Sequence, residues 1–357
     1  MKNEQLAELG WHDHFQAAFD ELDDGSLEPA RVAIEHRRGY SVLVPGAELD
    51  AEVPGKMRRQ ATLSSELPAV GDWVALRRLP GEDRGVIEAV LPRRSKFSRK
   101  VAGFDVDEQV VAANVDIVFL VSALNQDLNL RRIERYLTLA WDSGAQPVIV
   151  LTKSDLLDDV ARAVGEVAEI APGVPVHAIS NETGDGLDEI ATYLDGVPTI
   201  ALMGSSGVGK SSLINRLAGD DVMKVADIRW DGKGRHTTSH RELIRLPQGA
   251  WMIDTPGMRE LQLWDATEGD LDSAFGDIAA LTAECKFNDC EHDSEPDCAV
   301  KEAIASGRLD AERFASYQKQ LREMAALARK IDKRLANAEA KKWKQLNKDA
   351  RARSRPR

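Results

Sequence analysis

The sequence predicts a multidomain chain: a small β-barrel of the OB type, an α/β domain of the P-loop kind with its motifs in circularly permuted order, and a small α-helical metal-binding domain with a basic helical tail. Three observations carry that prediction. Five short apolar stretches, most of them separated by Gly or Pro, lie between Ala30 and Val90; a glycine-rich loop, Gly204 to Ser211, sits between an apolar run and a helical pattern; and three cysteines and a histidine fall between Cys285 and Cys298. The implied boundaries are an N-terminal extension over 1–29, the barrel over 30–108, the permuted domain over 109–263, the metal domain over 264–318 and the basic helix and tail over 319–357.

The barrel strands are expected at Ala30–Glu35, Tyr40–Val44, Met57–Thr62, Asp72–Leu76 and Gly85–Val90, a number and spacing that suit a five-stranded barrel. Arg58, Arg59, Arg77, Arg78, Arg93, Arg94, Lys96, Arg99 and Lys100 would give it a basic face. Few aromatics interleave with these charges, which favours recognition of RNA backbone or shape over base stacking. From Pro92 to Glu108 the chain reads as a linker into a strand over Asp116–Val121.

The apolar run Thr199–Met203 reads as a buried parallel strand and Ser211–Ala218 as the helix after it. The loop between them, Gly204-Ser205-Ser206-Gly207-Val208-Gly209-Lys210-Ser211, therefore lies at a helix N-terminus. There backbone N–H groups and the positive end of the helix cradle a diphosphate. Lys210 reaches the outer phosphates, Ser211 ligates Mg²⁺, and Ser212 follows in the same turn.

Upstream of that loop, Val148–Leu151 reads as a strand ending in Thr152-Lys153-Ser154-Asp155. The Asp155 carboxylate can accept from the two donors on guanine's Watson–Crick edge, which adenine lacks, so GTP is favoured and ATP stays as the alternative. Lys153 would lie along the base plane, and Ser180, after the strand Val174–Ile179, would complete the pocket. Thr152 stands where the usual motif has Asn, and a hydroxyl cannot make both hydrogen bonds of a carboxamide. Because the base motif precedes the phosphate loop, the parts of a GTPase appear in permuted order.

Downstream, Gly249–Asp254 is a second strand ending in a carboxylate suited to hold Mg²⁺ beside the phosphates. Gly257 can then lend its N–H to a γ-phosphate. Many GTPases follow this glycine with a Gln that orients the attacking water; here the residue is Met258. His236, on the Gly-rich stretch Gly232–Thr238, is the candidate to position water in its place, with Thr237 or Thr238 as a further Mg²⁺ ligand. A solvated loop histidine is the alternative reading.

Cys285-x4-Cys290-x-His292-x5-Cys298 supplies three thiolates and one imidazole, the set of a closed, structural zinc site with no open position for chemistry. All the cysteines of the chain are here, and an odd thiol count in a long chain makes a disulfide framework the weaker account.

A hydrophobic fraction of 43% is ample for several cores. No apolar run reaches the ~18 residues of a membrane span, and the N-terminus lacks a basic and an apolar signal region, so a cytoplasmic monomer with no membrane partner is expected. The net charge of −12 is lopsided: Arg313 to Arg357 carries fifteen Lys and Arg against four acids. Phe314, Tyr317, Leu321, Met324, Leu327, Ile331 and Leu335 recur there at helical spacing, and the pattern fades after Lys341 into a basic tail for phosphates or, alternatively, for solubility.

Taken together, the permuted order, Gly207 to Asn215, Gly234-Arg235-His236-Thr237-Thr238, Asp254-Thr255-Pro256-Gly257 and Cys285 to Cys298 resemble the ribosome small-subunit-dependent GTPase A family. The resemblance spans residues 30 to 320 or so. It implies an OB barrel, a permuted GTPase domain and a zinc domain, acting with GTP and Mg²⁺ late in maturation of the bacterial 30S subunit. It further implies binding to 16S rRNA and GTP hydrolysis stimulated by the subunit. The family's catalytic histidine maps onto His236, whereas Thr152 departs from the family's usual Asn. A chiefly RNA-binding scaffold, with nucleotide as a slowly turned-over ligand, is the competing class.

Overall fold

The computed structural model describes residues 2–23, 25–100, 108–125, 128–219, 241–254, 267–287, 289–293 and 295–330. Five strands, β1 (Glu28–Glu35), β2 (Tyr40–Val44), β3 (Ala47–Glu52), β4 (Trp73–Arg78) and β5 (Arg84–Val90), run in the order β1-β2-β3-β5-β4 and close by pairing of β4 with β1. Closure leaves no free edge among them, and Val32, Val42, Leu49, Val74, Leu76 and Ile87 fill the interior.

Two expectations fail in this region. After two N-terminal helices, α1 (Lys2–Glu8) and α2 (Asp13–Asp20), the expected strand Met57–Thr62 is instead part of a third, α3 (Gly55–Gln60), and the third barrel strand is Ala47–Glu52. That strand has no β-branched residue, so propensity hides it. What specifies it is the Pro45-Gly46 turn, with Gly46 at φ 78 as a type II turn requires, and an alternation that buries Leu49 and Ala51. Lys56 to Gln60 are straight-chain helix formers, and their helix buries none of them. The expected linker Pro92–Glu108 also holds structure: β6 (Lys96–Lys100) forms an antiparallel pair with β7 (Glu108–Ala113), anchored by the buried Phe97. Charges at Lys96, Arg99 and Lys100 obscure its alternation.

The other half of the main sheet runs β10 (Val176–Ala178), β9 (Gln146–Thr152), β8 (Ile117–Ala123), β11 (Thr199–Met203), β13 (Trp251–Asp254) and β12 (Glu242–Arg245), parallel throughout except for the β12–β13 pair. Its central strands β8, β9 and β11 are largely apolar runs because both faces are covered. Helices α4 (Leu130–Ser143), α5 (Val160–Ile170), α6 (Leu187–Ala191) and α7 (Lys210–Ala218) connect or follow these strands.

Strand β1 also pairs antiparallel with β12 through Ile34 and Glu242, which makes the barrel and the parallel strands one continuous sheet, and at that junction lies Arg31 of β1. Its guanidinium is buried between Trp73 and Trp251 and donates to Leu9 O and to Thr199 Oγ1, both at 2.5 Å. Burial pushes its pKa down to about 10, against the pull of Asp116 and Asp72. The N-terminal stretch is packed into the same core through Leu6, Phe15 and Phe19.

The C-terminal part comprises α8 (Glu268–Ala274), α9 (Gly276–Ala283), α10 (Ala299–Ala305) and a helix α11 over 311–330. It docks on α4. Arg313 reaches Glu134 at 2.8 Å and Asp277 at 2.6 Å, and Arg135 pairs with Glu323 at 2.7 Å. No helix among the described residues is long and apolar enough to cross a membrane.

Candidate functional site

Strand β11 delivers the chain to Gly204, where a Cβ would stand 2.3 Å from Val121 O; only glycine lets the loop pass that close to β8. Gly207 and Gly209 then take φ of 76° and 92°, turning the chain into α7 with Gly209 as its N-cap. Lys210 Nζ donates back to Gly204 O at 2.8 Å and Ser205 O at 2.6 Å, so it lies across the mouth of the loop. Ser206 and Gly207 are exposed at the tip, Val208 is buried beneath it, and Ser211 and Ser212 are exposed in the first turn of α7. The result is a turn of backbone amides at the start of a helix, a cradle for anionic oxygens.

The base motif converges on this loop from β9. Thr152 is fully buried, and its Oγ1 donates to Val208 O at 2.6 Å. The hydroxyl thus braces the phosphate loop, a contact that its sequence position alone does not disclose. Lys153 takes the left-handed conformation, φ 60, at the start of the short turn Ser154–Leu156, which leaves Asp155 exposed beside the loop after β10. The fully buried Ser180 donates to Asp155 Oδ1 at 2.5 Å, while its oxygen accepts from Glu182 N and Thr183 N. The carboxylate is thereby oriented with one oxygen free of Ser180. Two residues that sequence reasoning left without a role appear here: Asn181 Nδ2 donates to Gly209 O at 3.3 Å, and Arg216 of α7 donates to Asn181 O at 2.8 Å and Glu182 O at 3.0 Å. An amide beside Ser180, one strand away from a motif lacking its own, was the available signal.

Strand β13 ends at Asp254, beside the C-terminal end of β11 from which the phosphate loop departs, since Ala201 pairs with Ile253 in the parallel register. His236, Thr237, Thr238, Gly257 and Met258 lie outside the described residues.

In the C-terminal part, Cys285, Cys290, His292 and Cys298 bring four ligand atoms within 4.8 Å of one another. Cys285 Sγ lies 3.5 Å from His292 Nδ1 and 3.9 Å from Cys298 Sγ, and His292 Nδ1 lies 3.4 Å from Cys298 Sγ. A tetrahedral ion with bonds of ~2.3 Å to sulfur and ~2.0–2.1 Å to nitrogen has ligand edges of about 3.5–3.8 Å, so the three separations among Cys285, His292 and Cys298 have the dimensions of such a site. All three cysteines are free thiols, and at 3.9 Å the sulfurs of Cys285 and Cys298 are not bonded to each other. Desolvation holds the His292 pKa below its ordinary value against Glu295, which keeps the imidazole neutral and its nitrogen free to ligate. Desolvation, then hydrogen bonds with Cys298 and Cys285, pushes the Cys290 thiol up to about 11, whereas at Cys298 burial is outweighed by hydrogen bonds from the Lys301 backbone and the neighbouring thiols, which hold it below its ordinary value.

The expected basic face of the barrel is partly spent on structure. Arg93 is nearly buried, pairs with both oxygens of Asp72 and donates to Ser65 O and Leu67 O. Arg77, Arg78, Arg94 and Lys96 pair with Glu88, Glu28, Asp116 and Glu108.

Residues 90–264 match the family model described as RsgA GTPase, and a second model, described as 50S ribosome-binding GTPase, matches 199–334. A protein of Opitutus terrae named Small ribosomal subunit biogenesis GTPase RsgA is 48% identical, over 98% of each chain. The chain belongs to the RsgA GTPase family. Another member, Small ribosomal subunit biogenesis GTPase RsgA 1 of Oceanobacillus iheyensis, is 46% identical over 91% of this chain and 93% of its own. Among solved structures, YjeQ from Thermotoga maritima superposes with a TM-score of 0.61 at 31% identity, over 84% of this chain and 99% of that one. YloQ, described as a circularly permuted GTPase, gives 0.61 at 26% identity over 88% and 98%. The chain is thus a GTPase with a barrel, a circularly permuted P-loop domain and a Cys3His cluster able to hold a metal.

Proposed function

We propose that this chain hydrolyses GTP in late maturation of the bacterial 30S ribosomal subunit, as a cytoplasmic monomer that contacts 16S rRNA and is stimulated by the subunit. The observation that carries this is the guanine pocket itself: Asp155, oriented by Ser180, stands beside a phosphate loop braced from the same strand by Thr152. Relatives matched along nearly their whole length are named for small-subunit biogenesis, whereas the family model described by the 50S subunit covers only residues 199–334. In this reading Asp155 selects guanine, with Lys153 and Ser180 completing the pocket. The amides from Gly204 to Gly209 hold the phosphates, Lys210 stabilises charge that develops in transfer, and Ser211 with Asp254 would hold Mg²⁺. Thr237 or Thr238 is assigned to the same ion, Gly257 to the γ-phosphate and His236 to the attacking water. Cys285, Cys290, His292 and Cys298 hold one structural zinc, since four protein ligands leave no open position.

The test is steady-state hydrolysis of GTP and ATP by the whole protein alone, with purified 30S subunits and with purified 50S subunits. Turnover of GTP raised by 30S alone is expected. Equal stimulation by both subunits, or by neither, would overturn the assignment to the small subunit, and equal use of ATP would overturn the role of Asp155.

A further inference from the structure

Two side chains share the inner end of the phosphate loop, and between them they cover what one carboxamide would do. Thr152 Oγ1 has a single hydrogen, which is engaged with Val208 O at 2.6 Å; the fully buried residue has no other side-chain donor to offer a ligand. Asn181, from the loop after β10, reaches the next carbonyl, Gly209 O. A Cβ added at Gly209 would stand 3.1 Å from Asn181 Nδ2 and 3.5 Å from Thr152 Oγ1, so both side chains flank the same glycine.

Bracing alone does not explain the Asn181 carboxamide. Its one bond is long, and its buried Oδ1 has no hydrogen-bond partner, a costly arrangement for a group that served only the fold. The loop is held without it, because Arg216 already ties down Asn181 O and Glu182 O. The amide orientation is set by Gly209 O, since reversal would bring two acceptors together. One N–H of Nδ2 is therefore used on the loop and a second remains.

We infer that Asn181 is a base-reading residue whose second Nδ2 hydrogen donates to N7 of the bound purine, replacing the carboxamide that position 152 lacks. The proposal rests on the guanine-nucleotide reading above. Asp155 takes the Watson–Crick edge, and its orienting partner Ser180 is the neighbour of Asn181 in sequence. A base so held turns its N7 edge toward the phosphate-loop end, where Asn181 Nδ2 stands. The two residues thus divide the work: Thr152 braces the loop, and Asn181 meets the ligand.

The test uses the whole protein and two probes, GDP and 7-deaza-GDP, in which C–H replaces N7 while the Watson–Crick edge is unchanged. The parent should bind 7-deaza-GDP about tenfold more weakly than GDP, the size of one lost hydrogen bond. Asn181→Ala should bind GDP about as weakly as the parent binds the analogue, with no discrimination between the two. Thr152→Asn combined with Asn181→Ala should recover both GDP affinity and discrimination, and it decides the matter if the single variant binds too weakly to measure. Equal binding of the two probes by the parent, or discrimination retained in Asn181→Ala, would overturn the proposal. Absence of GDP binding by the parent would instead sink the nucleotide reading on which it rests.

Discussion

The phosphate loop and the cysteine cluster are both polar turns that open onto a helix, yet they are built on opposite principles. The loop from Gly204 to Ser211 is held by the protein's own bonds: Lys210 on two of its carbonyls, Thr152 on a third and Asn181 on a fourth. The loop from Cys285 to Cys298 points four donors at one another, and among its ligand atoms the contacts are those of mutual approach. A site for a ligand that must leave is prebuilt by the fold, so that exchange does not unfold it. A site for a resident ion can be built around the ion, whose binding free energy then becomes folding free energy.

The largest expected effect follows from that contrast. Stripping metal with a chelator, or Cys290→Ser, should unfold the segment from 285 to 305 locally, because a structural zinc contributes about 10 kcal/mol or more of apparent folding free energy. Metal analysis should find about one zinc per chain, and hydrogen exchange should rise in α10 while GDP binding survives. A native protein without metal, with α10 still protected, would erase the difference between the two loops.

Lys210→Ala should act in the opposite manner, on chemistry and not on folding. Loss of one preorganised cation facing developing charge should lower turnover by about 10²–10³-fold, with the melting temperature nearly unchanged. Subunit-stimulated turnover equal to the parent's would remove Lys210 from the phosphate site.

A smaller effect is expected where the metal-bearing part docks on α4. Arg313→Met leaves Glu134 buried, with Arg131 and Ser316 as its remaining partners, so the cost should be about 2–3 kcal/mol, below the ~3–5 of a wholly uncompensated charge. The acid limb should change as well. Burial pushes the Asp277 carboxyl up, but its hydrogen bonds from Arg313 outweigh that and hold it below the ordinary carboxylate range. Its contribution is therefore present above the unfolded-state pKa and lost as pH falls through the folded value, and in Arg313→Met that acid-limb loss should shrink. Denaturant midpoints at neutral pH and at successively lower pH measure both.

The same contrast explains how much could be read beforehand. Chemistry tied to local order along the chain was legible: Thr199–Met203 into Gly204 and Lys210, and the spacing of Cys285, Cys290, His292 and Cys298. What depended on long-range packing was not. Nothing local tells that Thr152 turns inward to Val208, that Arg31 is buried between Trp73 and Trp251, or that Arg93 clamps Asp72 in place of facing a partner. Strand β3 was missed for a related reason: its residues favour other conformations, and closure of the barrel overrides them. The base-reading contact had half a signal, an absent amide at 152 and a present one at 181, which only the fold brings together.

The smallest effect should come from Thr152→Val, and it probes the prebuilt character of the phosphate loop most directly. Valine keeps the volume of the buried side chain and removes the hydroxyl, so no cavity forms and the main loss is the donor to Val208 O, with a longer contact to Ser122 O at 3.3 Å lost beside it. An unsatisfied buried acceptor costs about 1–3 kcal/mol, and the lower end is expected here because Lys210 and Asn181 still hold neighbouring carbonyls of the loop. Part of that cost should appear as a slight fall in thermal stability, and the rest as weaker GDP binding, since a loosened loop must be ordered again by the ligand. Guanine selectivity over adenine should not move, because Asp155 and Ser180 lie outside the altered contact. Calorimetry with GDP and ADP would check both halves. A large loss of selectivity would mean that Thr152 meets the base after all; unchanged GDP affinity would mean that the loop holds its shape without this brace.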